Sequence, residues 1–292
     1  NTANELIDQF IDDGKCEFLS AFGVQLPLRV IVSQLGAPMS DIALFRKWTE
    51  AFMGNLSQQL DRDGLIQAAK DMVEFQHYFA ARIEERRLEP QQDILSKTVN
   101  ASIDGDEQLS VAESLSMIAQ ILVAGNETTS ASLTEGIWLL IENPDQYALL
   151  RENPSAEMIS RLVEEVLRIS SPSSNMFRRA NETVEMHGVT IPKDAILFAR
   201  FASANQDEKQ FPEPEKFDLM RDNLKDQVAF GKGVHHCLGA ALSRREMNIG
   251  FKVILERLEN FRLAEGASSP TFAANALLHG LSGLDLAFDK VS

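Results

Sequence analysis

The feature that most constrains this chain is a helical pattern that opens at Ser110 and closes at Asn143, ahead of Pro144. Ser110 followed three residues later by Glu113 is a capping box, and the proline supplies the stop. At 1.5 Å per residue such a helix is about 50 Å long, enough to cross a whole domain, so the remaining elements have to be arranged around it. Its middle does not suit a simple core helix. Ala124-Gly125-Asn126-Glu127-Thr128-Thr129 places a glycine, two hydroxyls and a carboxylate where leucines would be expected. Small residues let a flat group approach the backbone. A threonine hydroxyl can bond a carbonyl one turn back and loosen the ladder locally. A carboxylate next to a hydroxyl is also an arrangement suited to proton delivery. On these residues alone, a glycine-kinked core helix with a satisfied threonine fits as well.

A second unusual stretch is Phe230-Gly231-Lys232-Gly233-Val234-His235-His236-Cys237-Leu238-Gly239, which delivers one cysteine to the start of a helix. Gly231, Gly233 and Gly239 permit backbone conformations and close approaches that side chains would block. A helix N-terminus favours the thiolate, the form of cysteine that ligates metal. An isolated cysteine would more simply be a small buried apolar residue. Between the two stretches, Ser155 to Ile169 puts Ile159, Leu162, Val163, Val166 and Leu167 on one stripe, with Glu165 and Arg168 three apart beside it. Arg161 with Glu165, or Glu164 with Arg168, would pair equally well at this spacing.

Taken together and in this order, these motifs resemble the cytochrome P450 family of haem-thiolate monooxygenases. The loop matches the family signature at Phe230, Gly233, His235, Cys237 and Gly239. The resemblance implies a mainly α fold with small β-sheets, binding heme b (iron protoporphyrin IX). Cys237 would be the iron ligand, with Phe230 and Gly231 beside it and His235 on a haem propionate. Ala124 and Gly125 would lie over the haem. Glu127 would relay protons, and Thr128 would stabilise the reduced oxygen. Glu165 and Arg168 match the family's Glu-x-x-Arg, a structural pair. Ten residues beyond Arg168, Arg178 takes the propionate-binding position, with Arg179 as a nearby alternative. Gln120, Ala124, Ser173 and Asn175 are candidate substrate-pocket residues; Ser173, Ser174 and Asn175 suggest a substrate oxygen, although turns favour the same residues. The arginine that would complete the structural pair is replaced by Lys216, which lacks a planar fork, leaving Arg221 as a substitute.

The implied activity is insertion of one oxygen atom from O2 into a small hydrophobic organic substrate. Electrons would come from NAD(P)H through a reductase and a ferredoxin-like donor. A peroxide-using enzyme on the same fold is the near rival, which Glu127-Thr128 disfavours. A haem-free helical scaffold is the distant one. Residues 1–292 read as a single partial domain, because family members carry further N-terminal helices, part of the main sheet and a substrate-covering loop ahead of this point; the expectation is poor haem retention by this length alone.

Composition removes other classes. With 28 Lys and Arg against 43 Asp and Glu, the net charge of −15 opposes nucleic-acid and anionic-membrane binding. No apolar run is long enough to span a bilayer, and two cysteines make no disulfide framework, so the reading is a soluble, cytoplasmic, bacterial-type protein. Zinc is not expected, since no ligand spacing suits it. Lys232, Arg244 and Arg245 form a possible basic docking patch around the cysteine loop, and Arg82–Arg87 reads as a solvated helix end. His187-Gly188 marks a hairpin turn between Val184 and Ile191.

Overall fold

The long helix predicted from the capping box is α6, Val111–Glu142, in a computed structural model that describes residues 1–57, 60–102, 107–275 and 277–291. The box forms in both directions: the Ser110 amide donates to Glu113 Oε2 (2.9 Å) and the Glu113 amide to Ser110 Oγ (3.2 Å). The chain divides into two units, Asn1–Gln9 with Ser20–Ser130, and Phe10–Leu19 with Ala131–Ser292, so α6 contributes residues to both.

The first unit is helical: α1 (Thr2–Ile7), α2 (Gln25–Gln34), α3 (Ile42–Ser57), α4 (Arg62–Leu88), α5 (Ile94–Val99) and the first part of α6. Phe45 and Trp48 of α3 meet Phe75, Tyr78 and Phe79 of α4 in edge-on and tilted contacts, with ring centroids 5.0–6.2 Å apart. Such geometry suits the ring quadrupoles. Leu95, Val99, Ile118 and Leu122 extend the same core.

The charged end of α4 is not merely solvated, contrary to the sequence reading. Arg82 lies over the Tyr78 ring (4.1 Å) and within 3.5 Å of Asp41. Arg86 donates to Asp93 Oδ2 (2.8 Å) and to the Gly36 carbonyl (3.2 Å), while Arg87 donates to the Leu109 carbonyl (2.6 Å). Long stems and several donors let arginine fasten loops from a helix surface, a use that composition does not reveal.

The second unit holds the rest of α6, then α7 (Pro144–Glu152), α8 (Ala156–Ser170), α9 (Phe201–Ala204) and α10 (Ala240–Arg257). Its strands are β1 (Lys15–Glu17), β2 (Met176–Arg179), β3 (Val184–Met186), β4 (Val189–Ile191), β5 (Ile196–Ala199), β6 (Leu258–Leu263) and β7 (Asp285–Lys290). They pair antiparallel as β1-β7-β6, β2-β5 and β3-β4. The β3-β4 hairpin turns at His187 and Gly188, with φ of 51° and 78°, as the sequence predicts. Phe177 and Phe198 face each other across β2 and β5 (4.8 Å) and stay largely exposed.

One close approach fixes the helix layer of this unit. A Cβ on Gly136 of α6 would lie 2.4 Å from Phe251 Cζ on α10 and 3.2 Å from Val166 Cγ2 on α8, and Phe251 is fully buried. Gly136→Ala should therefore cost about 1–3 kcal/mol, seen as a lower urea midpoint at unchanged slope. Adding Phe251→Leu should recover part of the loss. An unchanged midpoint in the single variant would mean that the ring moves aside freely.

Candidate functional site

The cysteine loop is held from behind by side chains bonding its backbone. Asn205, fully buried, accepts the Val228 amide (2.8 Å), and Gln227 Oε1 accepts the Ala229 amide (2.6 Å). The loop then turns at Gly231 (φ 67°) and Gly233 (φ 78°), which only glycine enters without strain. A single 3₁₀ turn follows at Gly233–His235, and the Cys237 amide returns to the Phe230 carbonyl (2.9 Å). Gly239 is the N-cap of α10 with ordinary φ (−80°), so its use is different: a Cβ there would sit 3.8 Å from Cys237 Sγ, beside the sulfur. Cys237 precedes the helix rather than opening it.

Cys237 is exposed, and its neighbours Val234 and Leu238 are 97% and 91% exposed. Two large apolar side chains presented beside a sulfur, on a loop anchored from behind, suit the face of a flat apolar macrocycle. The donor set fits haem: one soft sulfur, with exposed His235 next to it.

Behind the loop, Arg168 and Glu165 form the buried fork that the spacing allows, both fully inaccessible. Arg168 donates to Glu165 Oε2 (2.7 Å) and Oε1 (2.9 Å), and to the carbonyls of Asn205, Pro214 and Lys216 (2.8–3.1 Å), which uses every guanidinium N–H. The competing pairings do not form. Arg161 donates to the Leu219 and Arg221 carbonyls, and Glu164 pairs with Arg244.

The third member is Arg221. Its Nε lies 3.4 Å from Glu165 Oε1, and its Nη atoms donate to the carbonyls of Pro212, Glu213 and Lys216. Lys216 contributes only that carbonyl, its ammonium being half-exposed and 3.7 Å from Asp218.

Arg178 is half-buried on β2 and donates to its neighbour's carbonyl, Phe177 (2.8 Å), whereas Arg179 is paired with Asp194 (2.5 and 2.8 Å). Arg178 is thus the one with a guanidinium not already tied to a carboxylate. Asn175 is buried, with its amide donated to Ser174 Oγ (2.8 Å), so it supports the turn; Ser173 is half-buried. Arg244 is taken by Glu164 and leaves the basic patch proposed from sequence, while Lys232 and Arg245 remain exposed.

In the first unit, Thr128 Oγ1 donates to the Ala124 carbonyl (3.3 Å) within an unbroken α6. Gly125 is required for packing: a Cβ would lie 2.7 Å from Ile31 Cδ1 of α2. Ala124 and Gln120 are exposed on the same helix. Glu127 is half-buried, and burial, with repulsion from Glu50 that Arg46 partly offsets, raises its carboxyl above the ordinary 4.5. A carboxyl so shifted holds and releases protons nearer neutrality.

The Cytochrome P450 family profile matches residues 28–279. The chain is 33% identical over 285 residues to 6-deoxyerythronolide B hydroxylase of Saccharopolyspora erythraea, covering 98% of this chain and 69% of that protein. It is 34% identical over 284 residues to a steroid C26-monooxygenase of Mycobacterium tuberculosis, covering 97% and 70%. The solved structure of the bacillaene polyketide synthase cytochrome P450 PksS from Bacillus subtilis superimposes with a TM-score of 0.89 at 33% identity, covering 99% of this chain and 72% of that one. The chain belongs to the cytochrome P450 family, and its enzyme class is that of the monooxygenase oxidoreductases. Among the described residues, no helix is long and apolar enough to cross a membrane.

Two expectations test this arrangement. Arg221→Ala should cost about 3–5 kcal/mol in urea unfolding, since it strips a buried carboxylate of a partner, whereas Lys216→Ala should stay within about 0.5 kcal/mol; equal effects would restore Lys216 as the third member. Glu246 of α10 is buried with neither carboxylate oxygen hydrogen-bonded among the described residues, and burial pushes it up to about 8. The folded chain keeps a proton that the unfolded chain releases near 4.5, so stability falls as pH rises from about 4.5 to about 8. Glu246→Gln should remove that slope, gaining on the order of 3 kcal/mol over the parent between pH 5 and 8. Parallel pH profiles for the two proteins would contradict it.

Proposed function

We propose that this chain carries the haem-thiolate centre of a bacterial P450 monooxygenase that oxidises a small apolar organic molecule. The observation that carries the reading is an exposed cysteine on a glycine-turned loop anchored from behind, flanked by exposed apolar side chains. When bound, haem supplies dioxygen activation and the transfer of one oxygen atom to an organic substrate. Cys237 Sγ is the ligand. Arg178 and His235 bind the carboxylate groups of the macrocycle, and the planar guanidinium suits that task. Glu127, with its raised carboxyl, takes a proton and passes it inward. Thr128 Oγ1 donates to the Ala124 carbonyl and keeps its lone pairs available to accept a hydrogen bond beside that carboxyl.

Electrons are proposed to come from NAD(P)H through a reductase and a ferredoxin-like donor, with Lys232 and Arg245 as exposed cations available to an acidic carrier. The relatives named for 6-deoxyerythronolide B and for a steroid support a substrate that is largely apolar and larger than a simple gas or acid. Residues 1–292 are read as one domain, in keeping with a family match over residues 28–279.

The decisive experiment is the carbon monoxide difference spectrum of the reduced, haem-supplied protein. The long-wavelength thiolate-type Soret band is expected for the haem that the parent takes up, and it should be lost in Cys237→Ala. A band that survives the substitution would overturn the assignment of the ligand.

A further inference from the structure

Glu164 lies one residue before the buried Glu165, on the side of α8 that faces the cysteine loop's flanks. Arg244 of α10 donates to it twice, Nε to Oε1 (2.6 Å) and Nη2 to Oε2 (3.1 Å). Gln227 donates Nε2 to the same Oε2 (3.0 Å). One of these residues stands before the loop and the other after it, so a single carboxylate collects a bond from each flank.

We propose that Glu164 is a positioning residue for Cys237, setting the distance between the two flanks of the loop and with it the presentation of the sulfur; this rests on the haem-thiolate reading. Two routes lead from the carboxylate to the cysteine backbone. Through Gln227, whose Oε1 accepts the Ala229 amide (2.6 Å), it reaches Phe230, whose carbonyl accepts the Cys237 amide (2.9 Å). Through Arg244, it reaches the Phe230 ring, 4.5 Å below the guanidinium carbon. Cation–π contact and a bidentate, charge-assisted bond each favour one guanidinium orientation, and here they favour the same one.

The anchor is fixed because its helix is fixed. Arg168 donates to the carbonyls of Asn205, Pro214 and Lys216 and Glu165 accepts the Asp218 amide, so α8 is tied to the segment ahead of the loop and Glu164 is held in place with it. The Glu164 and Arg244 side chains are 15% and 35% exposed, and partial shielding strengthens such a pair beyond a surface contact. An ordinary clasp between α8 and α10 would stiffen those helices; the geometry points instead to the loop as the element that is held.

The test uses Glu164→Gln, which keeps size and removes charge, and Gln227→Leu, which releases one flank only. In the haem-free chain, amide hydrogen exchange of residues 228–240 should accelerate about tenfold in Glu164→Gln, and 228–231 should accelerate in Gln227→Leu, with 248–257 of α10 unchanged in both. In the haem-loaded protein, the share of carbon monoxide complex with the long-wavelength band should fall at least about twofold in Glu164→Gln, with the remainder shifted to the shorter-wavelength band of thiolate loss. Unchanged loop exchange, acceleration spread evenly over α8 and α10, or full retention of the long-wavelength band would each overturn the proposal. Absence of that band from the parent protein would instead defeat the haem-thiolate reading, and the exchange data would still decide whether Glu164 holds the loop.

Discussion

The second unit depends on one buried interaction, the Glu165–Arg168 fork. Taking two charges out of water is costly, and the cost is recovered only where every donor and acceptor finds a partner. Here the partners are backbone carbonyls. Residues 205–231 contain no long helix or strand to satisfy their own peptide groups, yet much of the segment is ordered against α8. Arg168, Arg221 and Arg161 take the carbonyls of Asn205, Pro212, Glu213, Pro214, Lys216, Leu219 and Arg221 itself. Guanidinium groups thereby do for irregular chain what ladder bonds do for a sheet. A lysine, with one compact ammonium, could not reach several carbonyls at once, which explains why Arg221 takes the position beside Glu165 and Lys216 is left at the surface.

The same logic reaches the cysteine. Asn205 is bound by Arg168 through its carbonyl, bonds Ser171 Oγ through its amide and receives the Val228 amide through Oδ1. The rigidity of the fork is passed to the loop by side chains that have no reactive role. A sulfur that is exposed and yet fixed requires this: the flexibility allowed by Gly231 and Gly233 has to be cancelled from behind.

What was legible in the sequence was local. The capping box and Pro144 placed α6 to within a residue at each end, and His187-Gly188 marked its hairpin. Glu165 and Arg168 were found by spacing, but only family resemblance chose them over Arg161 and Glu164, since i,i+3 and i,i+4 pairs look alike before burial is known. Long-range partners were invisible. Nothing in the composition told that Arg82, Arg86 and Arg87 fasten loops, that Gly125 makes room for Ile31, or that Arg244 is tied to Glu164. Asn205 and Gln227 carry no sequence signal of their partners beyond lying in a stretch poor in helix and strand.

The strand β1 has no sequence signal of its own because its partner is almost the whole chain away: Lys15, Cys16 and Glu17 pair with Ala287, Leu286 and Asp285. Between them lie residues 20–130 of the first unit and most of the second. Lys15–Glu17 is made well before its mate at Asp285–Ala287, so this pairing has to wait for the chain that lies between the two. The β1-β7 pairing is accordingly a long-range closure, formed at the cost of bringing two distant stretches of chain together.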